Sequence, residues 1–191
     1  MHKLALFLAE GFEEIEGLTV VDVCRRCGLE IDTVSISDCA DVLGSHGIPV
    51  RADRILKEIS FDDYDMLILP GGKKGTENLE RCEPLKEALK HFAHEGKYIG
   101  AICAAPTILG HMGLLRGRKA TCYPGLEHEL EGAIIFTDNG AVTDPGGDKY
   151  DAKFITGRGM GKSIDFALAI ATVFAGPEKA YQVGKAIVYY D

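Results

Sequence analysis

Short apolar runs alternate with stretches of helical spacing from one end of this chain to the other, and that alternation restricts the fold more than any other feature. Lys3 to Leu8 is an apolar run of strand length. Glu14 to Cys27 puts Ile15, Leu18, Val21, Val23 and Cys24 at helical positions, and Gly28 follows as a helix stop. Glu30 to Ile36 alternates apolar and polar residues like a strand. Val42 to Ala52, with Gly44 and Gly47 inside it, predicts a hairpin or meander at a sheet edge. Asp65 to Leu69 is a second apolar strand, broken off by Pro70-Gly71-Gly72. A helix is expected over Pro84 to His94, a strand over Tyr98 to Ile102, and a helix over Ala104 to Met112. Short strands are expected at Lys119 to Cys122, Ala133 to Phe136, Asn139 to Thr143 and Lys153 to Thr156. Ser163 to Ala175 is apolar nearly all round, the mark of a buried helix. Pro177 to Ile187 supplies one more.

Strands alternating with helices predict an α/β fold, a largely parallel sheet with helices on both faces. With 191 residues and no linker or repeat, a single domain over 1–191 is expected. In such sheets function gathers at the carboxyl ends of the strands. Three strands end unusually: in Ala9-Glu10-Gly11-Phe12-Glu13-Glu14, in Pro70-Gly71-Gly72, and in Ala101-Ile102-Cys103-Ala104-Ala105-Pro106. All three ends are expected on one rim.

The third is the most informative. A strand runs into a helix with a nucleophilic residue at the corner and small residues two before and two after. That is the spacing of a nucleophile elbow. Small flanks let strand and helix backbones approach, and the following helix N-terminus favours a thiolate at Cys103. The bland alternative is an inert buried cysteine, the usual fate of a free thiol. The other rim features weigh against it. Gly71-Gly72 can bring backbone N–H groups close to an oxyanion. Glu13, Glu14 and Glu16 stand where the first strand gives way to its helix, a position that also suits plain solvated carboxylates.

Charge and cysteine content exclude other classes. A net charge of -8 with scattered basic residues argues against nucleic acid as a partner. No signal peptide is visible, and no run approaches the roughly 18 apolar residues of a membrane span, so the cytoplasm is the expected location. The six cysteines then read as reduced thiols. Cys24-Arg25-Arg26-Cys27 has redox spacing but ends a helix instead of starting one. No phosphate loop is present, and no second Cys-x-x-Cys pair that would complete a zinc site.

Taken in order, Leu8 to Glu16, Val21-Asp22-Val23 with Arg25-Arg26, Leu69 to Gly72, Ala101 to Pro106, and Thr156-Gly157-Arg158-Gly159 through Leu168 resemble the ThiJ/PfpI superfamily. The branch is that of the Parkinson-disease-associated deglycase and its bacterial relatives. The resemblance implies a flavodoxin-like three-layer sandwich of the class I glutamine amidotransferase type, and a homodimer. It implies that Cys103 is the reactive cysteine, that Glu16 is the carboxyl group beside it, and that Gly72 and the N–H of Ala104 help form the oxyanion site. It places Arg25 or Arg26 and Arg158 near the dimer face or the pocket. The peptidase-type members carry histidine after the cysteine, where this chain has Ala104. Some deglycase-type members carry histidine where it has Tyr123, beside Cys122; His128 reads as an exposed histidine.

An ionised Glu16 would raise the thiol pKa, whereas a neutral one would donate to the thiolate, and burial favours the neutral form. The expectation is a coupled pair acting without metal or cofactor on methylglyoxal-type aldehydes or early glycation adducts, as a glyoxalase or deglycase. The alternative is a stress sensor whose Cys103 is oxidised to sulfinate without turnover.

Overall fold

A computed structural model describes residues 2–147 and 151–190; residues 1, 148–150 and 191 of the domain expected over 1–191 lie outside the described residues. The chain runs β1 (Lys3–Leu8), α1 (Glu14–Arg26), β2 (Glu30–Ser35), β3 (Asp41–Leu43), β4 (Pro49–Arg51), β5 (Arg54–Ile55), β6 (Met66–Leu69), α2 (Lys73–Glu80), α3 (Glu83–His94), β7 (Tyr98–Ile102), α4 (Pro106–His111), β8 (Lys119–Ala120), β9 (Ile134–Ile135), β10 (Ala141–Asp144), β11 (Lys153–Gly157), α5 (Ser163–Ala175) and α6 (Pro177–Ala186). Seven strands form the main sheet in the order β10-β11-β7-β6-β1-β2-β5. Among the described pairs of this sheet only β10–β11 is antiparallel. The α/β sandwich expected from the alternation is therefore the observed architecture.

Period-two alternation divides the core between the two faces. Leu4, Leu6 and Leu8 of β1, with Met66 and Ile68 of β6, pack toward α1, α5 and α6. Ala5 and Phe7, with Leu67 and Leu69, pack toward α3 and α4. Each fully buried Leu or Phe contributes about 1.5–3 kcal/mol, and strands apolar on both faces are what a sheet covered by helices on both sides requires. Helix α1 carries Glu14 and Glu16 in its first turn and Arg25 and Arg26 in its last, complementing its dipole. It stops at Gly28, whose φ of 79° suits glycine.

Three expectations change. The hairpin comes from Val42 to Ala52, but β3 and β4 pair only with each other and stand apart from the main sheet, whose edge is β5. Helix α2 was not expected. Leu79 is its one large buried apolar side chain, so no apolar stripe advertises it. The helix after Cys103 begins at Pro106, not Ala104, because residues 103–105 make a turn first. Among the described residues, no helix is long and apolar enough to cross a membrane.

Because β1, β6 and β7 are adjacent and parallel, Leu8, Leu69 and Ile102 all end at the same rim. The loops beyond them interlock. Glu13 N–H donates to the Gly71 carbonyl at 2.9 Å, and Gly75 N–H donates to the Gly11 carbonyl at 3.0 Å. A Cβ at Gly75 would lie 2.6 Å from the Phe12 Cα, so α2 can press on the first loop only through a glycine.

Candidate active site

Cys103 has a φ of 65°, a left-handed conformation that costs a non-glycine residue about 1–3 kcal/mol. The strain is held from both sides. Cys103 N–H donates to the Gly157 carbonyl at 2.9 Å, and the Cys103 carbonyl accepts from Tyr123 N–H at 2.8 Å. The flanking Ala101 and Ala105 are both fully buried where strand and turn crowd together. The elbow expected from residue spacing is thus present as a backbone shape, with the sulfur half-buried at its tip.

Glu16 is fully buried. Helix α1 projects it under the rim, where Gly71 N–H donates to its Oε2 at 2.8 Å. Its Oε1 has no well-directed partner, yet the carboxyl lies close enough to the Cys103 thiol for each to shift the other's acidity. Gly71 makes this closeness possible. A Cβ there would lie 2.6 Å from Glu16 Oε2 and 2.7 Å from Cys103 Cβ.

Burial pushes the Glu16 carboxyl up to about 7; the thiol and the Gly71 N–H pull against that rise, and the Glu13 charge adds to it. Burial, then the negative charge of Glu16, pushes the Cys103 thiol up to about 12, while the N–H groups of Ala104 and Gly72 pull it down. The thiol therefore shifts opposite to the sequence expectation. Helix α4 is six residues long and begins three residues past the sulfur, so its dipole gives little. With both groups raised and the thiol well above the acid, the pair gives up its two protons in separate steps and holds one proton between them. On sulfur, that proton leaves a thiol against a carboxylate; on oxygen, it leaves a thiolate against a neutral acid that can donate to it.

The backbone donors differ from expectation in one respect. Gly72 and Ala104 direct N–H groups to the sulfur. Gly71, expected beside them as an oxyanion donor, instead gives its N–H to Glu16. Gly72 has a φ of 90°, and a Cβ on it would lie 2.7 Å from Glu13 N. Glycine is required there for both reasons.

Cys103 opens into a cavity of about 630 Å³ whose walls include Glu16, Gly72, Ala104, Thr107, His111 and Tyr123. Tyr123, at the position of the absent histidine, is half exposed, lines this cavity and lies against Gly159. His128 is exposed and outside the cavity lining, as expected. Arg25 pairs with Asp53 at 2.8 Å and Arg26 with Asp22 at 2.7 Å; neither they nor Arg158 line the cavity. All six cysteines are free, and Cys24 is pushed up to about 12 by burial, which makes the Cys-x-x-Cys pair a packing feature.

Sequence reasoning missed His111. Its Nδ1 lies 2.6 Å from Glu80 Oε1 and its Nε2 lies 2.8 Å from Glu129 Oε2, and all three residues line the Cys103 cavity. The two carboxylates raise its pKa, that of Glu80 foremost. A signal was available, since Thr107 and His111 are four apart on the helix that follows the elbow and so share a face.

The profile of the DJ-1/PfpI family matches residues 2–173. Protein DJ-1 homolog B of Arabidopsis thaliana is 33% identical over 187 residues; the match takes in 97% of this chain and 41% of that relative, so the chain spans less than half of its length. Glutathione-independent glyoxalase DJR-1.2 of Caenorhabditis elegans is 33% identical over 180 residues, covering 93% of this chain and 92% of that one. The structure of oxidized Toxoplasma gondii DJ-1 superposes with a TM-score of 0.91 at 30% identity, and the match covers 100% of both chains.

Proposed function

The chain belongs to the DJ-1/PfpI family, and on that premise we propose that it is a cofactor-independent, cysteine-dependent glyoxalase or deglycase acting on methylglyoxal-type aldehydes or their early adducts. One observation carries the reading. A half-buried thiol on a strained elbow meets a buried carboxyl group inside a cavity, with the N–H groups of Gly72 and Ala104 turned toward the sulfur.

Methylglyoxal gives the steps their simplest form. Glu16 takes the thiol proton as Cys103 sulfur adds to the aldehyde carbon, and the oxygen that gains the electron pair is held by the N–H groups of Gly72 and Ala104 before it is protonated. The product is a hemithioacetal. Glu16, again a carboxylate, carries the proton from the carbon bearing sulfur to the neighbouring carbon, and the hydroxyl proton passes from the first oxygen to the second, leaving a lactoyl thioester. Water adds to the thioester, sulfur leaves and regains its proton, and lactate departs. The sum is methylglyoxal plus water to lactate and a proton. A carboxyl pKa of about 7 suits a group that must both take and give a proton near neutrality. Tyr123 stands where the histidine of some relatives would be, and no step is assigned to it. The glyoxalase name of the Caenorhabditis relative supports the reading. The test is lactate formation from methylglyoxal without added thiol or metal. Glu16→Gln should lower turnover by a factor of about 100 or more, and full turnover by that variant would overturn the shuttle.

A second reading is favoured by the donors at the sulfur. The N–H groups of Gly72 and Ala104 suit the oxygens of a sulfinate, formed when two equivalents of peroxide oxidise the thiol and are reduced to water. Structural similarity to an oxidized relative supports it. Turnover separates the two readings. Both treat 1–191 as one domain that pairs with a second copy, a role suited to the exposed apolar side chains of Ile15, Leu18 and Ile48.

A further inference from the structure

Beyond Cys103, Glu16 and Tyr123, the cavity is lined by six charged or protonatable side chains: Glu13, Lys73, Glu77, Glu80, His111 and Glu129. Four are carboxylates. Among the described residues Glu77 forms no ion pair; Glu80 pairs with His111 at 2.6 Å, and Glu129 pairs with His111 at 2.8 Å and with the exposed His128 at 3.7 Å. To donate to both, His111 must be protonated, and even then its one positive charge leaves the trio with a net charge of −1. Glu80 ends helix α2, whose start at Lys73 adjoins Gly72. All three residues of the trio line the cavity into which Cys103 opens. A group trailing behind the reacting carbonyl of a molecule bound at Cys103 would share that cavity with the trio.

We propose that the Glu80–His111–Glu129 bridge is a charge filter of the cavity, admitting to Cys103 molecules whose trailing group is neutral or cationic and disfavouring those that carry a carboxylate, sulfonate or phosphate. This rests on the reading of Cys103 as the attacking group, and it adds the charge class of the substrate. A cleft with low-dielectric walls and an excess of one sign concentrates the opposite sign, with effects on association rates of about tenfold or more at low salt. The three residues come from α2, α4 and the turn at Glu127–Glu129, and none of them belongs to the elbow.

The test needs no turnover, so its failure is distinguishable from failure of the enzyme reading. Cys103 is labelled with two methanethiosulfonate reagents, one ending in trimethylammonium and one in sulfonate. Rates at Cys103 are read by peptide mass mapping and normalised to the same reagents on a small free thiol. The filter predicts a cation-to-anion ratio of about five or more at low salt, falling as salt is added. The Glu80→Gln/Glu129→Gln double variant should bring the ratio close to one, and His111→Gln should raise it above wild type. These opposite movements follow from charge, whereas loosened packing would move both variants the same way. A normalised ratio near one in wild type, or shifts of the same direction in both variants, would overturn the proposal.

Discussion

Glu16 accepts the N–H of Gly71 at 2.8 Å on one carboxylate oxygen, and it is this bond that fixes the acid against the Cys103 thiol. Helix α1 supplies the carboxyl and the end of β6 supplies the donor, so the pair is assembled by adjacent strands whose carboxyl ends share a rim. With both groups buried, each sets the other's proton affinity, and the single proton they share is the working part of the proposed chemistry.

Gly71→Ala should break this arrangement. Its Cβ would lie 2.6 Å from Glu16 Oε2 and 2.7 Å from Cys103 Cβ, and neither neighbour sits on a free chain end. The expected cost is about 1–3 kcal/mol of stability from overpacking, measured by urea unfolding, together with a loss of activity larger than the loss of folded protein.

Replacing Glu16 by glutamine should stabilise the fold at alkaline pH while reducing turnover. The Glu16 carboxyl is raised from 4.5 to about 7, so the folded state binds its proton more tightly than the unfolded chain does. Stability is therefore lost as pH rises from 4.5 through 7, and the loss is complete above that range. The variant lacks this penalty, of order 1–3 kcal/mol. Thermal melts at pH 5 and pH 8.5 should show its advantage growing with pH.

Strain at the elbow can be measured directly. Both Cys103→Ala and Cys103→Gly delete the sulfur, but only glycine accepts a φ of 65° without cost. The glycine variant should be the more stable of the two by about 1 kcal/mol. Alanine ahead by about 0.5–1 kcal/mol, the entropic disadvantage of glycine, would mean that the left-handed turn stores no strain.

His111 carries a pH dependence of the same sign as the raised Glu16 carboxyl. Its pKa is raised above 6.5 by Glu80 and Glu129, which are the charged groups facing its two ring nitrogens. Its contribution to stability is full below pH 6.5 and is lost as pH rises through the folded pKa. The melting difference between wild type and His111→Gln should shrink over that interval. A constant difference would show that the bridge acts by packing alone.

Much of this was legible before any coordinates. The alternation of apolar strands with helices identified the parallel sheet, and small residues around Cys103 marked the elbow. What stayed hidden was set by distances between separate segments. Helix α2 has too few apolar residues to announce itself and is held by Gly75 against Phe12. The direction of the thiol shift depended on how deeply Cys103 and Glu16 are buried together, which spacing does not state. His111 meets Glu80 and Glu129 across gaps of 31 and 18 residues, and only the fold reports such meetings.

The most direct measurement of the central claim is lactate formed from methylglyoxal by the purified protein, without added thiol or metal, beside the Cys103→Ala variant. The account predicts steady production by wild type and none above background by the variant. Equal production by both, or none by either, would contradict a cysteine-dependent glyoxalase.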